Sequence, residues 1–230
     1  MRAKDNFART ALHYSVISGS LELVKLLLAS NEDYQINEID MDGYTPLSYF
    51  LKGKSSESQF YNHVFHQDNI FLSLVKAGAD VNFVFPEPDF KPDFKDEELE
   101  DLDSYDPKGK YQTTALINTI RRQPANEILR NNIIGLIEFG AKLDVVDSDG
   151  RDAVMHAIIN NNEMVVKILL ENKKSLRVNV NGQDKAGKSA AHYVVNPIRY
   201  GSYENVELLR LLQKYGFNLN LKDAQKKTPA

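Results

Sequence analysis

Two histidines three residues apart, His63 and His66, with Asp68 just after them, come nearest to a metal site in this sequence. On a helix that spacing would set both imidazoles on one face, as zinc ligation requires, but no third ligand is evident and no metal is expected. The acids of residues 96–103 are too loosely placed to act as a paired general acid and base. There is no cysteine to serve as a nucleophile, no glycine-rich phosphate loop and no Gly-x-Ser-x-Gly elbow. The fragment is therefore expected not to be an enzyme and to need no cofactor.

The bulk composition narrows the class. With 230 residues, 42% hydrophobic, the chain can bury a sizeable core. The net charge of −4 argues against nucleic-acid binding, which calls for a basic excess. That charge is unevenly spread, because residues 87–106 hold ten acids against Lys91 and Lys95, leaving the remainder mildly basic at +4. The lack of cysteine excludes disulfides and points to a reducing setting, cytoplasmic or nuclear. No apolar run approaches the roughly 20 residues that span a bilayer, and the first residues lack a signal-peptide core.

The elements that would position these residues repeat along the chain. Thr10-Ala11-Leu12-His13 precedes Leu21-Glu22-Leu23-Val24-Lys25-Leu26-Leu27-Leu28. Asp42-Gly43-Tyr44-Thr45-Pro46-Leu47 precedes Phe71 to Lys76 and then Ala77-Gly78-Ala79-Asp80-Val81-Asn82. Thr114-Ala115-Leu116 precedes Ile133 to Phe139 and Gly140-Ala141. Asp149-Gly150-Arg151-Asp152-Ala153 precedes Met164 to Leu170, and Gly187-Lys188-Ser189-Ala190-Ala191-His192 precedes Val206 to Leu212 and Gly216. A sixth copy opens at Asp223 and stops at Thr228-Pro229-Ala230. Thr10, Thr45, Thr114 and Ser189 fit helix N-caps, Pro46 and Pro229 the position after them, and Gly78, Gly140 and Gly216 the left-handed residue after a helix. Asp40-Met41-Asp42-Gly43 and Asp147-Ser148-Asp149-Gly150 read as turns.

Five copies in register resemble the ankyrin-repeat family. The resemblance implies an all-α solenoid of stacked helix–turn–helix units joined by hairpin loops, in one domain spanning 1–230. Its repeats fall at about 5–39, 40–82, 112–146, 147–183 and 184–222, with a truncated sixth at 223–230. One unit cannot bury its own apolar face, so stacking supplies the core. Thr45 and Thr114 lie 69 residues apart, about twice the usual ~33-residue unit, with one leucine-rich helix between them. Insertions are therefore expected at about 54–67 and 83–111, with extra residues near 124–130 and 197–202. In the fourth copy Asp152 replaces Thr, Met155 replaces His, and His156 is expected at the surface. His13 and His192 match the family's structural histidine, and both ends of the chain look like edges within a longer protein.

The resemblance also implies a binding function, with a partner protein or linear peptide docking on the concave face of turn tips and first helices. Carried over position by position, it selects Arg9, Tyr14, Tyr44, Tyr49, Arg121, Arg122, Arg151, His156, Lys188 and Tyr193. A surface so rich in Tyr and basic residues suits an acidic peptide; the alternative is that Tyr14, Tyr49 and Tyr193 pack against the next repeat and the basic groups are simply solvated. The chain is expected to be a monomeric fragment with no membrane or nucleic-acid partner. Two further origins stay open: the substrate-recruiting region of a tankyrase-like poly(ADP-ribose) polymerase, or a bacterial ankyrin effector acting on host proteins.

Between the second and third copies, Pro88-Asp89-Phe90-Lys91 and Pro92-Asp93-Phe94-Lys95 form a short tandem that runs into an acidic stretch. Apolar residues spaced among acids suit a linear segment that orders only on binding. It is either a solvated loop or a tethered competitor for the basic groove. If it competes, deleting residues 86–108 raises affinity for the partner in a titration; unchanged affinity identifies a solvated loop.

Overall fold

The computed structural model describes residues 3–30, 36–52, 70–86, 112–122, 125–171, 178–195 and 204–229. The histidine pair at 63 and 66, the acidic insertion from 87 to 111 and the extra residues at 197–202 lie outside them. The architecture is all-α, built from paired helices, and divides into two compact units, Met1–Ala115 and Leu116–Ala230.

In the first unit α1 (Ala11–Ile17) and α2 (Leu21–Ala29) form one antiparallel pair, α3 (Pro46–Lys52) and α4 (Ile70–Lys76) the next. Helix α1 packs on α2 and α3, and α4 packs on α2 and α3. Leu12, Val16, Val24, Leu47, Phe71 and Leu74 fill the space between them. Each such side chain contributes roughly 1.5–3 kcal/mol by leaving water, so stacking outweighs the cost of ordering helices only two turns long. The outer face of α2 keeps Leu23 and Leu26 exposed. The apolar sequence of a second helix thus need not be buried all round.

The second unit holds α5 (Ala115–Arg122, its first residue in the first unit), α6 (Glu127–Glu138), α7 (Ala153–Ile159), α8 (Glu163–Glu171), α9 (Ala190–Val194) and α10 (Glu204–Lys214). Helix α7 packs on α8 and α9, α6 on α8, and α9 on α10. Val165, Val166, Leu169 and Leu170 form the buried stripe of α8, at the i, i+1, i+4, i+5 spacing of one helix face. Asn126 caps α6 by accepting from the Leu129 N–H at 2.9 Å. Pro46 opens α3, where a missing N–H costs no helical bond.

The expected family histidines bind as capping devices. His13 Nδ1 accepts from the Thr10 N–H at 3.1 Å, and its Nε2–H donates to the Tyr44 carbonyl of the next repeat at 3.2 Å. His192 repeats this with the Ser189 N–H at 3.0 Å and the Lys227 carbonyl at 3.1 Å. Burial holds the His13 pKa below its ordinary value, in keeping with a neutral ring that both accepts and donates.

A short antiparallel pair completes the first unit. Strand β1 (Phe85–Pro86) pairs with β2 (Gln112–Thr113), in the register Phe85↔Thr113 and Pro86↔Gln112. It lies beside the turn at 40–44, where a Cβ on Gly43 would come 3.2 Å from Pro86 Cγ. The acidic insertion therefore leaves and re-enters the fold at this strand pair, beside the turn at 40–44.

Glycines at different places in the repeat tolerate substitution differently. Gly187 has φ +73°, and a Cβ there would lie 2.7 Å from the Ala224 nitrogen of the neighbouring hairpin; Gly140 has φ +85° but nothing within 4 Å. Gly140→Ala is expected to cost about 1 kcal/mol in urea unfolding, from backbone strain alone. Gly187→Ala should add about 1–3 kcal/mol to that for the steric conflict; equal costs at the two sites would contradict the hairpin contact.

Candidate partner-binding surface

One turn recurs five times among the described residues and builds the candidate surface. In Asp5–Arg9, Asp40–Tyr44, Asp147–Arg151, Asp184–Lys188 and Asp223–Lys227 the first N–H donates to the last carbonyl, at 2.9–3.1 Å. The aspartate carbonyl accepts from the fourth residue, which has positive φ: Gly43, Gly150 and Gly187, but also Ala8 and Lys226. Each aspartate Oδ1 accepts from the N–H groups two and four residues on, for example Asp42 and Tyr44 to Asp40, both at 3.0 Å. The turn is thus fixed by a carboxylate that satisfies backbone donors which would otherwise need water.

Adjacent turns join into a ladder within each unit. The Met41 N–H donates to the Phe7 carbonyl at 2.9 Å in the first unit. In the second, Lys185 N–H donates to the Asp149 carbonyl at 2.9 Å and Ala224 N–H to the Ala186 carbonyl at 3.0 Å. At the other end of the repeat Asn37 accepts from the Asp80 N–H, and Asn181 from the Asn218 N–H.

The second carboxylate oxygen reaches nine residues ahead, onto the first helix of the same repeat. Tyr14 donates to Asp5 and Tyr49 to Asp40, each at 2.5 Å; His156 donates to Asp147 at 2.7 Å, and Tyr193 donates to Asp184. Arginine then ties one repeat to the next. Arg9 donates to Asp40 at 3.1 Å, to Asp42 at 2.8 Å and to the Tyr49 hydroxyl at 2.9 Å. Arg151 donates to the Tyr193 hydroxyl at 3.0 Å and lies 3.7 Å from Asp184. Both guanidinium groups also stand over the tyrosine rings, 5.5 Å from the Tyr49 centroid and 5.7 Å from that of Tyr193.

The electrostatics follow from this sharing. Burial alone would raise Asp40, but the bonds from Tyr49, Tyr44 and Arg9 outweigh it and hold the carboxyl below its usual range. The bond to Asp40 raises Arg9, and burial raises the phenols Tyr49 and Tyr193. Burial lowers His156 in spite of Asp147, so the ring is neutral at pH 7 and its Nε2–H donates to an ionised carboxylate.

The ten residues selected from sequence therefore meet different fates. Tyr44, His156 and Tyr193 are buried. His156 is not at the surface as expected, because the helix phase puts it in the slot that Tyr14, Tyr49 and Tyr193 occupy, against the turn aspartate. Tyr44 turns inward onto Tyr49 and Phe85, with ring centroids 5.1 and 6.2 Å away. Arg9, Tyr49 and Arg151 are half-buried and engaged in the bonds just given. Arg121 and Lys188 are half-buried, Tyr14 is exposed, and the side chain of Arg122 lies outside the described ones. The residues that sequence reasoning passed over are Phe7 and Met41, 56% and 74% exposed at adjacent turn tips. Their signal was an apolar side chain inside a turn otherwise made of polar and small residues. Among the described residues no group of His, Asp and Glu could hold a metal ion, and no helix is long and apolar enough to cross a membrane.

The family model for ankyrin repeats matches in three copies over residues 1–84 and 125–223, most of the chain. The chain belongs to the ankyrin-repeat family. No curated protein matches its sequence. Among solved structures it is similar to the ankyrin repeat protein EF0377 at 20% identity and a TM-score of 0.65, covering 95% of this chain and 87% of the other. An ankyrin repeat domain from Acinetobacter baumannii gives 20% identity, a TM-score of 0.66 and the same coverages. The ankyrin repeat domain of Bcl-3, described as a member of the IkappaB protein family, gives 24% and 0.61, covering 99% and 79%. These likenesses bear on the fold. Ankyrin repeats are in general protein-interaction modules, and no catalytic family is indicated for this ankyrin chain.

Asp152 gives this ankyrin array a pH dependence that can be measured. It caps α7, accepting from the Met155 N–H at 2.8 Å, where other repeats use Thr or Ser. Burial pushes its carboxyl up to about 6 from an ordinary 3.8. A carboxyl raised in this way takes up a proton on folding, so its contribution to stability falls as pH rises through that window. Asp152→Asn keeps the cap and removes the charge. It is expected to gain on the order of 1–3 kcal/mol at pH 7 and to lose this pH 4–6 dependence in urea titrations; an unaltered profile would exonerate Asp152.

Proposed function

We propose that the chain recognises a partner protein or an extended peptide on its turn tips and first-helix faces, the side that is concave in the ankyrin family. The observation that supports this reading is the exposure of Phe7, Met41 and Tyr14 on a hydrogen-bonded scaffold. An apolar or aromatic side chain already fixed in place loses little freedom on binding and adds buried area. The aspartates of the turns are occupied by backbone N–H groups and by tyrosine or histidine, so the scaffold keeps its shape while its tips vary. The working partner is acidic, met in the cytosol or nucleus. It is bound without chemistry.

The test is a quantitative binding assay with a captured partner. Phe7→Ser with Met41→Ser removes two exposed side chains that carry no turn hydrogen bond. Affinity is expected to fall about tenfold or more, with the melting temperature lowered only slightly by loss of the Phe7 ring beneath the Arg9 guanidinium, 5.3 Å from it. Retention of full affinity would rule out the turn tips of the first unit as the contact.

A further inference from the structure

The turns of the second unit end in unequal ways. The fifth residue of the turn is a cation in four of them: Arg9, Arg151, Lys188 and Lys227. The two arginines are consumed, Arg9 by Asp40 and Asp42 of the next repeat and Arg151 by Tyr193 and Asp149. Lys188 and Lys227 hold the same register without such a bond. Lys185 and Lys226 stand in the same two turns, and Lys222 just before the second; all three are exposed, as is Lys227, and Lys188 is half-exposed. None of these five ammonium groups joins an ion pair among the described residues. In the same turns Asp184 Oδ1 accepts from the Ala186 and Lys188 N–H groups and its Oδ2 from the Tyr193 hydroxyl, and Asp223 Oδ1 accepts from the Gln225 and Lys227 N–H groups. The two turns are joined through Ala224 and Ala186, through Gln183, which donates to Lys222 O at 2.9 Å, and through His192. Five lysines are thus presented on two joined turns whose aspartates already accept backbone N–H groups.

Resting on the recognition reading above, we propose that the paired turns at 184–188 and 222–227 are the docking site for an acidic peptide segment of the partner. The chemistry of the surface favours carboxylates over a phosphate polymer. Its unpaired cations are all lysines, point charges that can each take one carboxylate of an extended chain, while the guanidinium of Arg151 is engaged elsewhere. Among the described residues no exposed aromatic stands in these two turns to stack on a base, and Tyr193 is buried. The small Ala186 and Ala224 at the tips leave the ladder open to an extended chain.

The test uses the full chain and a fluorescein-labelled decaglutamate peptide, read by anisotropy at about 50 mM and about 300 mM salt. One variant carries Gln at Lys185, Lys188, Lys226 and Lys227. A second, sparing the half-buried Lys188, carries Gln at Lys222, Lys226 and Lys227. A charge-matched control carries Gln at Lys25, Lys76, Lys167 and Lys214. The wild type is expected to bind in a salt-sensitive way, the turn variants about tenfold more weakly, the control within about twofold. Equal losses in turn variants and control would reduce the effect to net charge and overturn the site. Equal or tighter binding of an oligothymidylate of matched charge, or of phosphatidylserine vesicles, would overturn the peptide assignment, as would no binding of decaglutamate. Such a failure with the Phe7 and Met41 effect intact would leave the recognition reading standing; the converse would leave the lysine site alone.

Discussion

The structure depends on a carboxylate with four demands on it. In each turn one aspartate oxygen holds two backbone N–H groups, and in four of the five the other holds a side chain nine residues away. The first bonds shape the turn, and the second fixes that turn to the first helix of its repeat. Where an arginine of the previous repeat joins in, the same anion also fixes the spacing between repeats. A charge this well surrounded can be buried, as at Asp40, because its lost hydration is replaced by hydrogen bonds, all of them charge-assisted by the ionised acceptor. Removing the charge would release the turn, the helix and the interface together. The hydrophobic stack supplies most of the favourable energy; the aspartate decides the geometry in which that stack forms.

The same arrangement separates framework from surface. Side chains at fixed places in the turn are drawn into the network, so their chemistry serves the fold whatever their type. Arg9 and Tyr49 look like interaction residues in isolation and are in fact mortar. The second and third positions of the turn carry fewer of these duties: Asp42 and Asp149 still pair with arginine, whereas the side chains of Met41 in the first unit and of Lys185 and Ala224 in the second stand outside the network. Variation there changes what a partner meets without disturbing the carboxylate beneath it.

Much of this was legible in sequence. The turn glycines and threonine caps follow from residue type and position, and the resemblance singled out His13 and His192 as structural; their bonds to the next repeat came from the structure. The departures have physical causes. Asp5 and Tyr14, Asp40 and Tyr49, Asp147 and His156, and Asp184 and Tyr193 share one spacing, but a turn aspartate read only as a turn former hides its second oxygen. His156 was placed at the surface by counting from the family histidine; the helix phase and the waiting Asp147 bring it inside. Tyr44 was misjudged for another reason. Its cover comes from Phe85, whose strand is completed by residues on the far side of a long insertion, and that adjacency cannot be read from local pattern. Phe7 and Met41 were overlooked because the repeat pattern draws the eye to what recurs.

The pairing of Phe85 with Thr113 and of Pro86 with Gln112 has a further consequence. Both ends of the insertion are clamped at one hairpin tip, so the rest of the fold senses the distance between those ends and little of what connects them. Loop-closure cost grows slowly, by about 0.6 kcal/mol for each doubling in length. Sequence between these strands can lengthen, shorten or be exchanged wholesale during evolution with little strain on the helices. The strand pair thus isolates the helical stack from changes in the length of chain that joins Pro86 to Gln112.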